Sequence, residues 1–318
     1  MTINFVGNYQ NGYVGEISDE SHIARELESV GNKVVRVPRD VWKAHVDGYE
    51  KQPDWVLPDE NADINIVAKW PHFDHWKYVD WLRKMTNAPV FYWVWDYMNE
   101  FDPENWNVKM AIASDLYLTG EGGLIGKYRE AGIPAYYFQM DVCDGNIKRF
   151  KDEEKKYDVI FTGSMIQKGH RRDWLVEINN QIPVKVFSWN YEEWAKLGLD
   201  ASPAVYGEEY NKLVAQSKVV LGFNVEPNCY GYWSNRVGKV LRAWGYLLQE
   251  YAPGMESLVG YNVDFFSSPG EAIAKAKNPK VYVNGHIPDT HRFTSAYKAE
   301  QLTQLIERFL KKGDEWII

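Results

Sequence analysis

The chain has 318 residues, enough for two domains that each bury a core, and its 45% apolar and 25% charged residues are typical of globular proteins rather than disordered or repeat proteins. The whole net charge of −8 falls in residues 1–150, so a polyanion is not expected to lie broadly across that half. With two cysteines, Cys143 and Cys229, far apart, neither a disulfide framework nor a zinc site is expected. No 18-residue apolar run and no cleavable leader is evident, which predicts a cytoplasmic protein without a membrane partner.

The first half alternates between predicted strands and helices. A glycine-bearing loop at 12–15 follows the first strand, and Ser18 is the expected cap of the first helix. Predicted strands lie at 3–6, 33–37, 64–68, 90–95, 115–118 and 135–139, with helices at 18–30, 75–85 and 124–131. This alternation predicts an N-terminal Rossmann-like domain, residues 1–150, with a mostly parallel sheet.

The second half repeats the alternation. A charged segment at 148–156 is interpreted as the linker. Strands are predicted at 158–162, 184–188, 219–223 and 246–250, with helices at 171–179, 208–216 and 235–244 and a polar, aromatic loop at 224–233. A second Rossmann-like domain therefore spans residues 151–293. Helical apolar spacing in residues 294–318 predicts a last helix that packs back toward the N-terminal domain.

Several segments in order along the second half carry a family resemblance. They read Tyr157 to Ser164, the basic run Lys168 to Arg172, Tyr232 to Val237, Ala243 to Leu248, and Val263 to Ser268 followed by Glu271. Together they resemble the group-1, family-4-like glycosyltransferases, in particular the CgeB-like and phage-encoded branch. The resemblance implies an α/β GT-B fold, with two Rossmann-like domains and the active site in the interdomain cleft. It also implies sugar transfer to a hydroxyl from a nucleotide-sugar co-substrate, first of all a UDP-sugar.

One departure from the family pattern concerns the ribose. Many family-4 glycosyltransferases carry two Glu residues separated by seven others, and Tyr232 and Val240 stand at those positions here. The donor sugar and nucleotide are therefore left open. The family resemblance implies retention of stereochemistry, whereas a carboxylate base would fit inversion, so the stereochemistry is open as well.

The donor diphosphate needs hydrogen-bond donors and cations, and two clusters offer them. Gly163 and Ser164 end a strand, with Lys168 and Arg172 shortly after. The loop residues Asn224 and Tyr232 precede the second cluster, which is Ser234, Asn235 and Arg236. Arg236 is the first choice for the phosphate, although a helix cap and surface ion pairs are the ordinary alternative.

The predicted base for the acceptor hydroxyl is Asp96, which follows the apolar strand 90–95. An apolar setting makes a carboxylate a stronger base, and a turn residue is the alternative reading. Glu16 is a second candidate. The predicted acceptor-binding residues share the loops that follow the strands of the first half: Gly12, Tyr13, His72, Trp95 and Tyr97.

No metal or other cofactor is expected. Asp141 and Asp144 have the wrong spacing for an Asp-x-Asp motif. The segment from His72 to His75 is typical of a hydrogen-bonded surface feature rather than a metal site. Acceptor alternatives are a 5-hydroxymethylated pyrimidine of phage DNA, a glycan or a small molecule. The aromatic residues available to stack a flipped base are Trp93, Trp95, Tyr97 and Trp106, but the negative charge of the first half argues against DNA. Functional alternatives are a GT-B-like nucleotide-sugar epimerase and a non-catalytic nucleotide-sugar binding module, and a monomer or weak dimer is expected.

Overall fold

The computed structural model describes residues 1–9, 18–50, 52–69, 77–96, 101–140, 150, 153–165, 170–259, 263–279, 291–313 and 315. The chain forms two compact units. Unit 1 comprises Met1–Met140 together with Ser295–Ile318, and unit 2 comprises Asp141–Thr294. The sequence placed these divisions at 150/151 and 293/294.

Unit 1 contains a six-stranded sheet in which every neighbouring pair is parallel. Its strands are β1 (Thr2–Gly7), β2 (Lys33–Pro38), β3 (Ile64–Ala68), β4 (Val90–Val94), β5 (Leu116–Thr119) and β6 (Ala135–Tyr137). Their spatial order is β2-β1-β3-β4-β5-β6. The strand order therefore reverses between β1 and β3.

The helices of unit 1 are α1 (Asp19–Ser29), α2 (Arg39–Val46), α3 (Lys77–Thr86), α4 (Trp106–Ala113) and α5 (Ile125–Glu130), joined by α12 (Ser295–Lys312) from the end of the chain. Ser18 caps α1, because its side chain accepts a hydrogen bond from the backbone N–H of Ser21 at 3.1 Å. α12 buries Leu302 and Ile306 completely, and Phe309 makes an edge-on contact with Phe91 of β4. The last helix is thus part of the core of unit 1.

Unit 2 contains a second six-stranded parallel sheet. Its strands are β7 (Tyr157–Thr162), β8 (Val184–Ser188), β9 (Asp200–Pro203), β10 (Ser217–Gly222), β11 (Leu247–Glu250) and β12 (Asp264–Phe266), in the spatial order β12-β11-β10-β7-β8-β9. The order reverses between β7 and β10.

Both faces of this second sheet are buried. Along β7, Val159 and Phe161 pack in one apolar cluster, while Ile160 packs in another on the opposite face. This alternation follows from the two-residue period of a strand. The helices of unit 2 are α6 (Arg171–Asn179), α7 (Tyr191–Lys196), α8 (Gly207–Ala215), α9 (Arg236–Arg242), α10 (Met255–Val259) and α11 (Pro269–Lys277).

Candidate functional site

The reversal between β7 and β10 is where the second sheet is expected to bind a ligand. In open parallel sheets, ligands bind beyond the carboxyl ends of the strands where the strand order reverses. Gly163 and Ser164 follow β7, and Phe223 and Asn224 follow β10. The loops that the sequence predicted for the donor therefore begin at this point of unit 2.

Arg171 joins these two loops. Its Nη1 donates to the backbone oxygen of Ser164 and its Nη2 to that of Phe223, each at 3.3 Å. Only 6% of the residue is exposed, so the guanidinium is buried at the first turn of α6. Its Nε has no hydrogen-bond partner among the residues that the structure describes. Arg171 therefore holds the two loops together and keeps an unused donor.

A second guanidinium, that of Arg236, lies beside Gly163. A β-carbon added to Gly163 would lie 2.7 Å from Nη2 of Arg236 and 3.0 Å from the ring of Phe161, so glycine allows this close approach. Within the described ranges, Nη1 of Arg236 is buried without a hydrogen-bond partner. Both guanidiniums lie over the ring of Phe161, at 5.9 Å for Arg171 and 5.4 Å for Arg236.

Glu250 attracts the guanidinium of Arg171 electrostatically, but it is not within ion-pair distance of it. No carboxylate in the described part of unit 2 forms an ion pair with Arg171 or Arg236. Burial, together with the charge of Arg236, lowers the pKa of Arg171 to about 10. Burial also lowers the pKa of Arg236. Both groups remain charged at neutral pH, and an anion would compensate two buried positive charges held close together.

A buried carboxylate borders this pair on the β11 side. Glu250 ends β11 with 2% exposure, and its two oxygens contact His170 Nε2 and, at 2.9 Å, the backbone N–H of Asn224. Burial raises the pKa of Glu250, while the Asn224 N–H and His170 favour its ionised form. The side-chain amide of Asn224 donates to the Glu250 backbone and its oxygen accepts from Gln249. Asn224 is therefore used inside the protein rather than left for a ligand.

The other residues predicted to bind the donor differ in burial and in their contacts. Tyr232 is buried and close enough to both guanidiniums to affect them electrostatically. The hydroxyl of Ser234 accepts the backbone N–H of Arg236 at 3.3 Å. Asn235 is the N-cap residue of α9, and its side chain makes no capping hydrogen bond. Arg172 lies on the surface and pairs with Asp173 at 2.8 Å, so the buried cation of this run is Arg171 instead. Lys168 lies outside the described residues.

Helical phase could have identified Arg171 from the sequence. Leu175 and Ile178 are buried residues of α6, four and seven positions after Arg171. Residues at these spacings share one face of a helix, whereas Arg172 is one position out of phase. The sequence signal that distinguishes Arg171 from Arg172 is therefore its position on the apolar face of the helix.

In unit 1, the predicted base Asp96 lies two residues after β4. Its side chain is 56% exposed and pairs with Lys69, which follows β3. The apolar surroundings expected from the sequence are therefore absent, because the residue has turned toward water. Trp95 is half-buried and contacts Trp93 edge-on at 5.3 Å. The remaining predictions for this unit, Glu16, Gly12, Tyr13, His72 and Tyr97, lie outside the described residues.

A buried carboxylate that the sequence did not single out lies at the end of β1. Glu20, in the first turn of α1, is 7% exposed and would contact a β-carbon on Gly7 at 3.0 Å. Burial raises the pKa of Glu20 to about 7. The only hint in the sequence was its place near a helix start, which also suits an ordinary acidic first turn.

Two further observations concern metals and membranes. Within the described ranges, no three His, Cys, Asp or Glu side chains gather closely enough to hold a metal ion. None of the helices described has the length and apolar character needed to cross a bilayer.

No protein-family model matches the sequence, and no curated protein matches it. Solved structures are similar over almost the whole chain. They include AviGT4, a glycosyltransferase involved in avilamycin A biosynthesis (TM-score 0.60, 11% identity, 98% of each chain covered), and a mutant of phage T4 BGT in complex with UDP-glucose (0.60, 12%, 100% of this chain and 99% of that one). A third is a trehalose-6-phosphate protein from E. coli bound with UDP-2-fluoro glucose (0.65, 8%, 97% and 99%).

The same fold also supports another reaction class. The UDP-GlcNAc 2-epimerase from Methanocaldococcus jannaschii is similar with a TM-score of 0.54 and 11% identity, over 97% of this chain and 100% of that one. The two parallel six-stranded sheets and these neighbours show that the chain has the α/β GT-B fold. Identities of 8 to 12% establish the fold, and the function has to be argued from the site.

Proposed function

We propose that this chain is a glycosyltransferase that uses a nucleoside-diphosphate sugar, with a UDP-sugar as the first choice. The observation that carries the proposal is the pair of guanidiniums, Arg171 and Arg236, at the strand-order reversal of unit 2. A diphosphate is the anion whose charge and size suit two adjacent arginines. As the glycosidic bond breaks, negative charge grows on the leaving diphosphate, and cations fixed beside it lower the barrier.

The proposed division of labour follows the charges of the two units. Unit 2 binds the donor through Gly163, Arg171 and Arg236, while Asp96 of unit 1 accepts the proton of the acceptor hydroxyl. No metal is needed in this scheme, because the arginines neutralise the diphosphate. The proposed acceptors remain a glycan, a small molecule or a 5-hydroxymethylated pyrimidine in DNA. The similarity in fold to phage T4 BGT in complex with UDP-glucose supports a UDP-sugar as the proposed donor.

The central test is thermal unfolding with a panel of UDP-glucose, UDP-GlcNAc, ADP-glucose and GDP-mannose. A donor at 100 times its dissociation constant adds about 2.7 kcal/mol of apparent stability. Arg236→Ala should remove most of that gain, because it deletes the guanidinium whose Nη2 lies beside Gly163 and whose Nη1 has no partner among the described residues. Arg172→Ala is the matched control, since its guanidinium is exposed and paired with Asp173. If no nucleotide sugar stabilises the wild-type protein, the proposal is rejected.

A nucleotide-sugar epimerase is the second candidate, because the UDP-GlcNAc 2-epimerase from Methanocaldococcus jannaschii has a similar fold. Both functions would use the same anion site, so binding alone does not separate them. Incubation of the protein with UDP-GlcNAc, followed by chromatography of the sugar nucleotides, separates them directly. A transferase leaves the epimer ratio unchanged, and an epimerase changes it without an acceptor.

A further inference from the structure

An exposed tryptophan lies at the carboxyl edge of the unit 2 sheet. Trp189 directly follows β8 and is 71% exposed, whereas Trp194 and Trp233 of the same unit are buried. It makes no ring contact with another aromatic side chain in the described part of the chain. An exposed aromatic ring of this size offers a flat apolar face on which a planar ligand stacks.

The backbone places Trp189 near the loop that contains Gly163. The N–H of Gly163 donates to the backbone oxygen of Phe187 at 3.1 Å, so Trp189 lies two residues beyond a direct partner of Gly163. Neighbouring strands lie about 4.8 Å apart, and β7 and β8 are neighbours. The tryptophan is therefore one strand away from the loop that Arg236 approaches.

Asn190 fixes the turn that carries this tryptophan. Its side-chain oxygen accepts from the hydroxyl of Ser188 and from the backbone N–H of Met165 at 3.1 Å, while its amide donates to Glu193 at 3.2 Å. Met165 belongs to the loop after β7, so the turn is tied to the same loop as Gly163. A rigid aromatic platform loses little conformational entropy when a flat ligand stacks on it.

We propose that Trp189 is the stacking surface for the nucleobase of the donor, a role that rests on the proposed function. The groups on the two sides of the arginine pair differ, and this difference predicts how the bound nucleotide is oriented along the edge of the sheet. The β8 side carries the aromatic ring, and the β11 side carries His170 and Glu250. The base therefore lies toward β8, the diphosphate on Arg171 and Arg236, and the sugar toward β11.

The test is calorimetric titration of the full chain with UDP, ADP and inorganic pyrophosphate. Stacking on an aromatic side chain contributes enough that Trp189→Ala should weaken UDP and ADP by roughly tenfold to a hundredfold. Pyrophosphate, which has no base, should bind as it does to the wild type. Trp189→Phe should restore most of the affinity, because it keeps a planar ring.

Tyr49 of unit 1 supplies the matched control, because it is 68% exposed and Tyr49→Ala removes an aromatic of similar exposure. It should leave all three affinities unchanged. Unchanged UDP binding by Trp189→Ala overturns the inference, and so does an equal loss of UDP and pyrophosphate, which would indicate damage to the anion site. If the wild-type protein binds none of the nucleotide sugars, the proposed function itself is rejected. That outcome differs from both Trp189→Ala results, in which the wild-type protein still binds.

Discussion

Units 1 and 2 reverse their strand order in equivalent places, between β1 and β3 in one and between β7 and β10 in the other. The two reversals differ in the described groups that stand out: carboxylates in unit 1, one of them paired with Lys69, and guanidiniums in unit 2, with Glu250 nearby. Unit 1 presents Glu20 and, at the end of β4, Asp96, whereas unit 2 presents Arg171 and Arg236. The same backbone topology thus supports an acidic edge and a basic edge. The loops set the chemistry, and the sheets only fix where the loops begin.

The acidic edge can be tested through Asp96. Asp96→Asn should lower sugar transfer by about 10²- to 10⁴-fold, because it removes the proposed proton acceptor while keeping the size of the side chain. Release of UDP from UDP-glucose in the presence of a hydroxyl acceptor measures the rate, and donor affinity should not change. The exposed Asp54 offers the control variant Asp54→Asn. Wild-type turnover by Asp96→Asn would remove Asp96 from the mechanism.

The basic edge can be tested by comparing two adjacent arginines. Arg171→Met removes the charge and the bonds to Ser164 and Phe223, so donor affinity should fall by roughly tenfold to a hundredfold. The free energy of unfolding should fall by about 1–3 kcal/mol. Arg172→Met should change both by little, because an exposed ion pair contributes about 0–1 kcal/mol. Equal effects of the two variants would contradict the assignment of Arg171.

Glu20 is expected to affect stability and not sugar transfer. Its pKa is raised by burial from 4.5 to about 7, so the folded chain binds this proton more tightly than the unfolded chain. Stability from this group is complete below pH 4.5 and is lost as the pH rises through 7, by about 3 kcal/mol in all.

Glu20→Gln cannot ionise, so its thermal unfolding should lose less stability than the wild type between about pH 5 and pH 8. Glu130→Gln, which changes an exposed acid of the same unit, should follow the wild-type curve. Parallel curves for Glu20→Gln and the wild type would mean that Glu20 does not titrate in this range.

The sequence predicted the elements with strong periodicity, and it missed the short or polar ones. The strands that end at the two edges, such as β4 and β7, were found because they are apolar over most of their length. β9 was missed because Asp200, Ser202 and Pro203 give its four residues no strand pattern. Short helices such as α7 were missed for the same reason. Local pattern identifies buried strands well, but it carries little information over such short segments.

The candidate site was predicted in part. The Gly163 loop and Arg236 were singled out because they follow predicted strands, and the structure brings those two together. Trp189 was not predicted, because exposure of a tryptophan depends on which faces the rest of unit 2 covers. The exposure of Asp96 was also missed, since it depends on where the chain turns after Val94 and on the position of Lys69. These properties arise from contacts between distant residues.

The return of α12 to unit 1 affects the order in which the chain can fold during synthesis. Asn32 donates to Thr303 at 3.2 Å, and Phe309 completes the apolar cover of Phe91. The ribosome therefore finishes every residue of unit 2 before it makes the last helix of unit 1. Although domains usually fold from the amino terminus onward, unit 2 can reach its final structure first here. Until then, the nascent first unit exposes an apolar surface that awaits its own carboxyl-terminal helix.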